Sequence, residues 1–304
     1  MADTEGAKSS AKYIIGIGSG KGGVGKSTLS VLLAEAAASK GLKVGLLDAD
    51  ITGPSAPRLM GLEKGHAGTD GVNLLPIVSE EGIKLMSINL LVDSEESPVI
   101  WRGPLLSRAV EQFWTDCAWG NLDLLVVDLP PGTGDVLITA LTSIPMTGVA
   151  FVATPQDLVS MIVAKAVGMA RSADAEVLGV VENMGSYICP DCGHEHPLFA
   201  AGASTEESAR KLGLALLGSF PFRPEIAQSG VLRWNKLPAK LQEEALKFED
   251  RVIEAAEIAA VKNPKKAAAA AAGLEVQPES KCEGCEHKGH CEDEGTGNCP
   301  EDSN

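Results

Sequence analysis

The chain has 304 residues, enough for one large α/β domain with additions, and its 44% hydrophobic, 22% charged composition is that of a globular protein. Its 26 Lys and Arg against 41 Asp and Glu give a net charge of −15, a surface that repels nucleic acid and anionic lipid where no basic patch overrides it. No such patch is visible, the first twelve residues lack the apolar core of a signal peptide, and no apolar run is long enough to span a membrane. A cytoplasmic protein without nucleic-acid or membrane partners is therefore expected.

Met1–Lys12 reads as a disordered arm. The apolar run Tyr13-Ile14-Ile15-Gly16-Ile17-Gly18 predicts a strand, and the pattern from Leu29 to about Lys40 a helix stopped by Gly41. Between them lies Gly20-Lys21-Gly22-Gly23-Val24-Gly25-Lys26-Ser27-Thr28. Strand, glycine loop and helix together are the context of a phosphate-binding loop. The glycines let backbone N–H groups turn inward, and the helix N-terminus adds unpaired N–H groups and a favourable dipole. Lys26 is expected at the β- and γ-phosphates, and the Ser27 hydroxyl on Mg²⁺. Lys21 is not needed for the cradle itself. With it, the loop resembles the deviant Walker A class of MinD-like ATPases, and that resemblance implies that Lys21 reaches across a dimer interface to the partner's nucleotide.

A second strand, Lys43–Leu47, ends in Asp48-Ala49-Asp50. Near-continuous apolar strands, each followed by a helix, predict a mostly parallel sheet with helices on both faces. Ligands of such sheets bind at the carboxyl ends of the strands, where Asp48 and Asp50 fall. Two carboxylates beside a phosphate loop repel unless Mg²⁺ or water uses them, so both are candidates there. Pro54–Gly61 reads as a short helix, Val72–Ile88 as a hairpin edging the sheet, and Leu105–Cys117 as a helix entered through Trp101-Arg102-Gly103-Pro104. Cys117 reads as a small buried residue. The strand Leu122–Val127 ends in Asp128, a Walker B carboxylate for Mg²⁺, and Pro130-Pro131-Gly132-Thr133-Gly134 reads as a switch loop.

Further on, Gly148–Thr154 reads as a strand, Pro155–Arg171 as a helix, and Ala175–Val181 as a strand ending at Glu182-Asn183-Met184-Gly185. The Asn183 amide can pair with an adenine edge. Cys189 and Cys192, two residues apart, can grip one soft metal but supply half of a tetrahedral site. Three completions are open: His194 or His196 finishing a zinc knuckle, a redox pair, or a two-fold dimer gathering four thiolates for a [4Fe–4S] cluster. Ser204–Leu212 reads as a helix, Ala215–Phe220 as a strand before Pro221, and Leu237–Val261 as an amphipathic helix with more acid than base on its polar face. Residues 13–262 thus form the ATPase domain. Asn263–Ser280 reads as an Ala-rich linker. The acidic tail 281–304 carries Cys282, Cys285, Cys291 and Cys299, which predicts folding around a bound iron–sulfur or zinc centre.

Gly20–Thr28, Asp48–Ser55, Trp101–Pro104, Asp128–Asp135 and the Cys189/Cys192 pair together resemble the Mrp/ApbC family of iron–sulfur cluster carrier ATPases, within the MinD-like P-loop class. The resemblance covers about residues 12–261. It implies a homodimer, ATP hydrolysis, and a labile [4Fe–4S] cluster bridged between subunits and handed to apo-proteins. It also implies that Asp50 orients the attacking water, that Asp48 is a switch residue, and that Asn183 and the loop near Pro221 hold the adenine. Thr52 stands where the family commonly has an aromatic residue, and the four-cysteine tail is C-terminal where eukaryotic relatives carry such a site at the N-terminus. Three readings from other classes remain: a MinD/ParA-like positioning ATPase, against which the acidic terminus argues, a nitrogenase-reductase-like electron donor, and a zinc-tailed regulatory ATPase.

Overall fold

Alternate residues of the central strands point to opposite faces of one sheet, and both faces are buried. The computed structural model describes residues 9–50, 53–91, 103–156, 161–189, 191–199, 205–224, 226 and 230–273, with backbone only for 103–107 and 161. In chain order the elements are β1 (Ser10–Ser19), α1 (Lys26–Ser39), β2 (Val44–Asp48), α2 (Ala56–Leu59), β3 (Gly68–Thr69), β4 (Leu74–Leu75), β5 (Ile77–Val78), β6 (Lys84–Ser87), α3 (Gly103–Thr115), β7 (Asn121–Asp128), α4 (Asp135–Ser143) and β8 (Gly148–Ala153). There follow α5 (Met161–Ser172), β9 (Val177–Ile188), β10 (Glu195–Pro197), α6 (Thr205–Lys211), β11 (Leu216–Phe222), α7 (Ala239–Lys262) and α8 (Pro264–Ala272).

The main sheet runs β10-β9-β8-β1-β7-β2-β6-β5, with β11 also on β9. Its pairs are parallel except β5 on β6 and β10 on β9. Ile14, Leu47, Leu125, Val127, Val149 and Phe151 face one apolar layer, filled by α3, α4 and α5. Their neighbours Ile15, Leu46, Leu124, Val126, Ala150 and Val152 face the other, filled by α1 and α7. The two-residue period of a strand explains the division. Helices on both faces of a mostly parallel sheet are the expected architecture.

Several elements differ from the sequence reading in ways that bear on the site or the domain's extent. Strand β1 begins at Ser10, inside the segment read as an arm, because Ser10 and Ala11 pair with Asn121 and Leu122. Strand β9 continues through Asn183 to Ile188, where a turn was expected. The antiparallel β10 gives its last residues a ladder partner, so Cys189 to His194 close a hairpin. Strand β11 likewise runs past Pro221 to Phe222. The Ala-rich segment is a helix over Pro264–Ala272, because alanine favours helix, Pro264 suits its first turn and the Asn263 side chain caps it. Ala270 is buried in the first apolar layer, which docks this helix on the sheet. The stretch containing Trp101 and Arg102, the residue Thr52, and the tail with Cys282, Cys285, Cys291 and Cys299 lie outside the described residues.

Candidate nucleotide and cysteine sites

The parallel register aligns the carboxyl ends of β1, β2 and β7, with Asp128 beside both Ile17 and Asp48. The loop from Gly20 to Gly25 leaves β1 there and enters α1 at Lys26. Gly25 has φ 82° and a Cβ added to it would lie 2.1 Å from Asn183 Nδ2, so both conformation and space require glycine. Gly23 is also left-handed, at φ 80°. The loop walls a cavity of about 560 Å³ with Lys26, Ser27, Thr28, Asp50 and Pro131. Gly132 N–H donates to Ser19 O at 2.9 Å, which ties the Pro-Pro-Gly-Thr-Gly turn to the start of the loop.

Lys26 is buried between two carboxylates. Its Nζ lies 2.7 Å from Asp128 Oδ1 and 3.5 Å from Asp50 Oδ2. Ser30 Oγ, also buried, donates to the same Asp128 Oδ1 at 2.8 Å. Asp128 Oδ2 is buried without a hydrogen-bond partner among the described residues. An orphaned carboxylate oxygen beside a phosphate cradle is a fitting seat for Mg²⁺ or its water shell, and with Ser27 it would form a donor set for that ion. Bound there, Mg²⁺ would neutralise charge on the phosphate oxygens.

Asp48, the third residue expected on Mg²⁺, is used otherwise. Its Oδ2 accepts from Ser55 N at 3.0 Å, Ala56 N at 3.1 Å and Ser87 Oγ at 3.3 Å, and its Oδ1 from Asp50 N at 3.2 Å. Burial and then the neighbouring Asp128 push its carboxyl above the ordinary range. Asp48 therefore caps the start of α2 and braces the segment that carries Asp50; its oxygens are taken by three backbone N–H groups and the Ser87 hydroxyl.

Next to the phosphate cavity, and sharing Thr28, Leu59 and Gly230 with it, is a smaller apolar slot of about 170 Å³. Asn183, Met184, Pro221 and Phe222 line it. Asn183 and Pro221 thus share the slot where a base adjoining the phosphates would lie. The Asn183 amide is partly committed, since Nδ2 donates to Val24 O at 2.9 Å; its carbonyl oxygen is the acceptor left for a base. Met184, next to it, has φ 59°, an uncommon left-handed residue inside a strand. Arg223 also lines the slot and gives Nη2 to both oxygens of Glu244 at 2.9 Å. Lys21 lies on the exposed part of the loop, where its own carbonyl accepts from Ser19 Oγ.

Cys189 and Cys192 sit at the tip of the β9–β10 hairpin, the first half-buried and the second exposed. Cys189 N–H donates to His194 O and Gly193 N–H to Cys189 O, both at 2.9 Å, and Gly193 takes φ 70° to close the turn. The backbone N–H groups of Cys192 and Asp191 lower the Cys189 pKa, favouring the thiolate that ligates metal. His194 and His196 are exposed, with ring centroids 6.4 Å apart. Among the described residues no three Cys, His, Asp or Glu side chains are grouped to hold a metal. Cys117 is buried and its thiol pushed up to about 12, as befits a packing residue. Ser30, Met184 and the Arg223–Glu244 pair were not singled out in the sequence. Only Ser30 had a signal, a hydroxyl within the apolar run Leu29–Leu33.

A phosphate loop between β1 and α1, a strand-end carboxylate on β7 and a parallel sheet covered on both faces define a P-loop NTPase of the MinD-like kind. Residues 10–255 match the ParA family described as NUBPL iron-transfer P-loop NTPases, and the chain belongs to that family. Relatives named iron-sulfur cluster carrier protein include one from Aquifex aeolicus, 48% identical over 217 residues, covering 71% of this chain and 59% of the relative. One from Methanocaldococcus jannaschii is 41% identical over 252 residues, covering 82% and 87%. The chain thus spans little more than half of some relatives and most of others. A solved nucleotide-binding protein from Archaeoglobus fulgidus in complex with ADP is 38% identical, with a TM-score of 0.63 over 79% of this chain and 89% of that one. The cell division ATPase MinD of Pyrococcus furiosus, at 19% identity and TM-score 0.59, shares 80% of this chain and 99% of its own as a fold. No helix among the described residues is long and apolar enough to cross a membrane.

Proposed function

We propose that this chain is an ATP-hydrolysing iron–sulfur cluster carrier. Two copies pair and hold a [4Fe–4S] cluster as cargo between their Cys189 and Cys192 thiolates, then hand it to apo-proteins. The relatives' printed names support the carrier role, and the ADP complex of the Archaeoglobus protein supports the nucleotide. The observation that carries the reading is strand β9: Asn183 on it braces the phosphate loop through Val24, and Cys189 lies six residues further along the chain, directly after the strand's last residue. Two thiolates per chain are half of what a four-iron cluster takes, which is why the pair of chains is the working unit.

In this reading the Gly20–Gly25 backbone and Lys26 hold the phosphates, and Asn183 and Pro221 hold the base. Ser27 and Asp128 hold Mg²⁺. Asp50, adjacent to Lys26 at the cavity wall, orients the attacking water. Lys21 of each copy reaches the other's nucleotide, so the cradle is completed only when the chains meet. Hydrolysis then times the separation of the two cysteine hairpins. The terminal cysteines Cys282, Cys285, Cys291 and Cys299 hold a second centre, iron–sulfur or zinc.

The experiment is anaerobic reconstitution with iron and sulfide, followed by transfer to an apo-protein. The Cys189→Ser, Cys192→Ser double variant is expected to lose the core's cluster and its transfer while keeping ATP binding. Full cluster content and an unchanged transfer rate in that variant would reject the site, and a loaded single chain in native mass spectrometry would reject the pairing.

A further inference from the structure

We infer that Ser30 is a positioning residue for the Walker B carboxylate: its hydroxyl holds Asp128 Oδ1 so that Oδ2 is the oxygen presented to Mg²⁺ or its water. The inference rests on the nucleotide-hydrolysing reading above. Ser30 lies one turn beyond Lys26 and is fully buried in the apolar face of α1. A hydroxyl there ordinarily bonds back to the carbonyl four residues earlier. That carbonyl, Lys26 O, is 3.1 Å from Ser30 Oγ, whereas Asp128 Oδ1 is 2.8 Å away. The hydroxyl has one proton, and the shorter bond to an ionised acceptor takes it.

The carboxylate is thereby made asymmetric. Oδ1 receives both Lys26 Nζ at 2.7 Å and the Ser30 hydroxyl, while Oδ2, equally buried, receives nothing among the described residues. Lys26 is a temporary partner, because its place in a loaded site is on the phosphates. Once Nζ moves to them, Ser30 is the described donor that still fixes Oδ1. Without it, Asp128 is free to turn about its side-chain bond and offer either oxygen, at a fixed loss of metal affinity. Ser30 touches neither nucleotide cavity, so its effect reaches the metal only through Asp128.

The test measures Mn²⁺ affinity for the protein–ADP complex by electron paramagnetic resonance, beside binding of a fluorescent ADP analogue in EDTA. In Ser30→Ala the Mn²⁺ affinity is expected to fall about tenfold, the worth of one hydrogen bond to a charged group. Metal-free ADP binding should stay within about twofold, a split that general damage to the loop would not produce. The Mg²⁺ concentration for half-maximal ATPase activity should rise with it. Unchanged Mn²⁺ affinity, or an equal fall in metal-free ADP binding, overturns the inference. Should Ser30→Ala not fold, Ser30→Cys keeps a weak donor at the site and should lose about threefold; no loss there overturns it as well. Failure of the wild-type protein to bind Mn²⁺–ADP would instead refute the nucleotide reading itself.

Discussion

Gly25→Ala tests whether Asn183 is a structural member of the phosphate loop. The methyl group would force alanine to hold φ 82° and to lie 2.1 Å from Asn183 Nδ2. A left-handed alanine costs about 1–2 kcal/mol. Asn183 must then leave Val24 O, and a buried amide without its acceptor costs about 1–3 kcal/mol more. Both penalties fall on the conformation that receives phosphate, so nucleotide affinity should drop by about 2–5 kcal/mol, or about 30-fold to 4000-fold. Asn183→Ala alone loses the bond but meets no clash, and should cost about 1 kcal/mol. In the double variant the clash is gone, so its loss should be no greater than that of Gly25→Ala alone. The assay is equilibrium titration with a fluorescent ATP analogue across the four proteins. Strict additivity of the two single changes would show that the contact between Gly25 and Asn183 carries no energy, and the account of the loop would fail.

Three further outcomes follow from other parts of the molecule. Glu35 is buried in α1, where burial first and then Glu81 raise its pKa from 4.5 to about 7, against the pull of the Trp234 N–H that it accepts at 3.0 Å. The folded state thus binds more protons than the unfolded one between these values, and stability falls as pH rises from about 4.5 through 7, by about 3 kcal/mol. Glu35→Gln keeps the acceptor and removes the charge, so urea titrations at pH 5 and pH 8 should show a flatter profile and a more stable protein at the higher pH; an unchanged slope contradicts this. Glu244→Ala strands a buried Arg223 guanidinium and should lower stability by about 2–3 kcal/mol, whereas Arg223→Met, which removes the charge, should cost less; the reverse order in chemical denaturation refutes the reading of that pair. Lys21→Ala should keep nucleotide binding in the single chain but lose ATP-dependent pairing and about tenfold or more of turnover, checked by analytical ultracentrifugation and phosphate release.

The nucleotide site was legible because its chemistry is local in sequence. Gly20–Thr28 carries the loop, its cation and its hydroxyl in nine consecutive residues, and Asp128 ends an apolar strand whose register with β1 and β2 delivers it to the loop. The sheet was legible for a related reason, since doubly buried strands read as apolar runs whichever face each residue takes. Distance in sequence hid the rest. Asp48 and Asp50 look alike at the end of β2, and only the return of Ser55, Ala56 and Ser87 shows that one carboxylate is taken up by two backbone N–H groups and a hydroxyl. The same holds for Asn183: its amide is bound to Val24, a residue of the loop it was expected to serve only through the base. Glu182 through Gly185 reads as a turn because Asn and Gly favour turns. The partners that keep the chain extended arrive later, β11 beside Glu182 and Asn183 and β10 beside Ser186 to Ile188.

That extension bears directly on how nucleotide and cluster would communicate in the proposed carrier. From Asn183 to Cys189 is six residues, about 20 Å of strand at the usual rise. Both ends of the path are held. Asn183 donates to the phosphate loop, Glu182 accepts from Thr205 and Ser219, and Ser186 to Ile188 are paired with Pro197 to Glu195. A hydrogen-bonded strand resists stretching, so a displacement at one end is passed on rather than absorbed. The exception is Met184, whose φ of 59° puts one strained residue between the loop-bound amide and the paired segment. Strain of this kind persists where the surroundings over-determine it, and here the surroundings are the base slot and Gly25. Filling the slot would press on that residue and on Asn183 beside it, which both line it. The cysteine hairpin therefore has a route to the nucleotide within its own chain, beside the one across the pair that Lys21 would make in the proposed carrier.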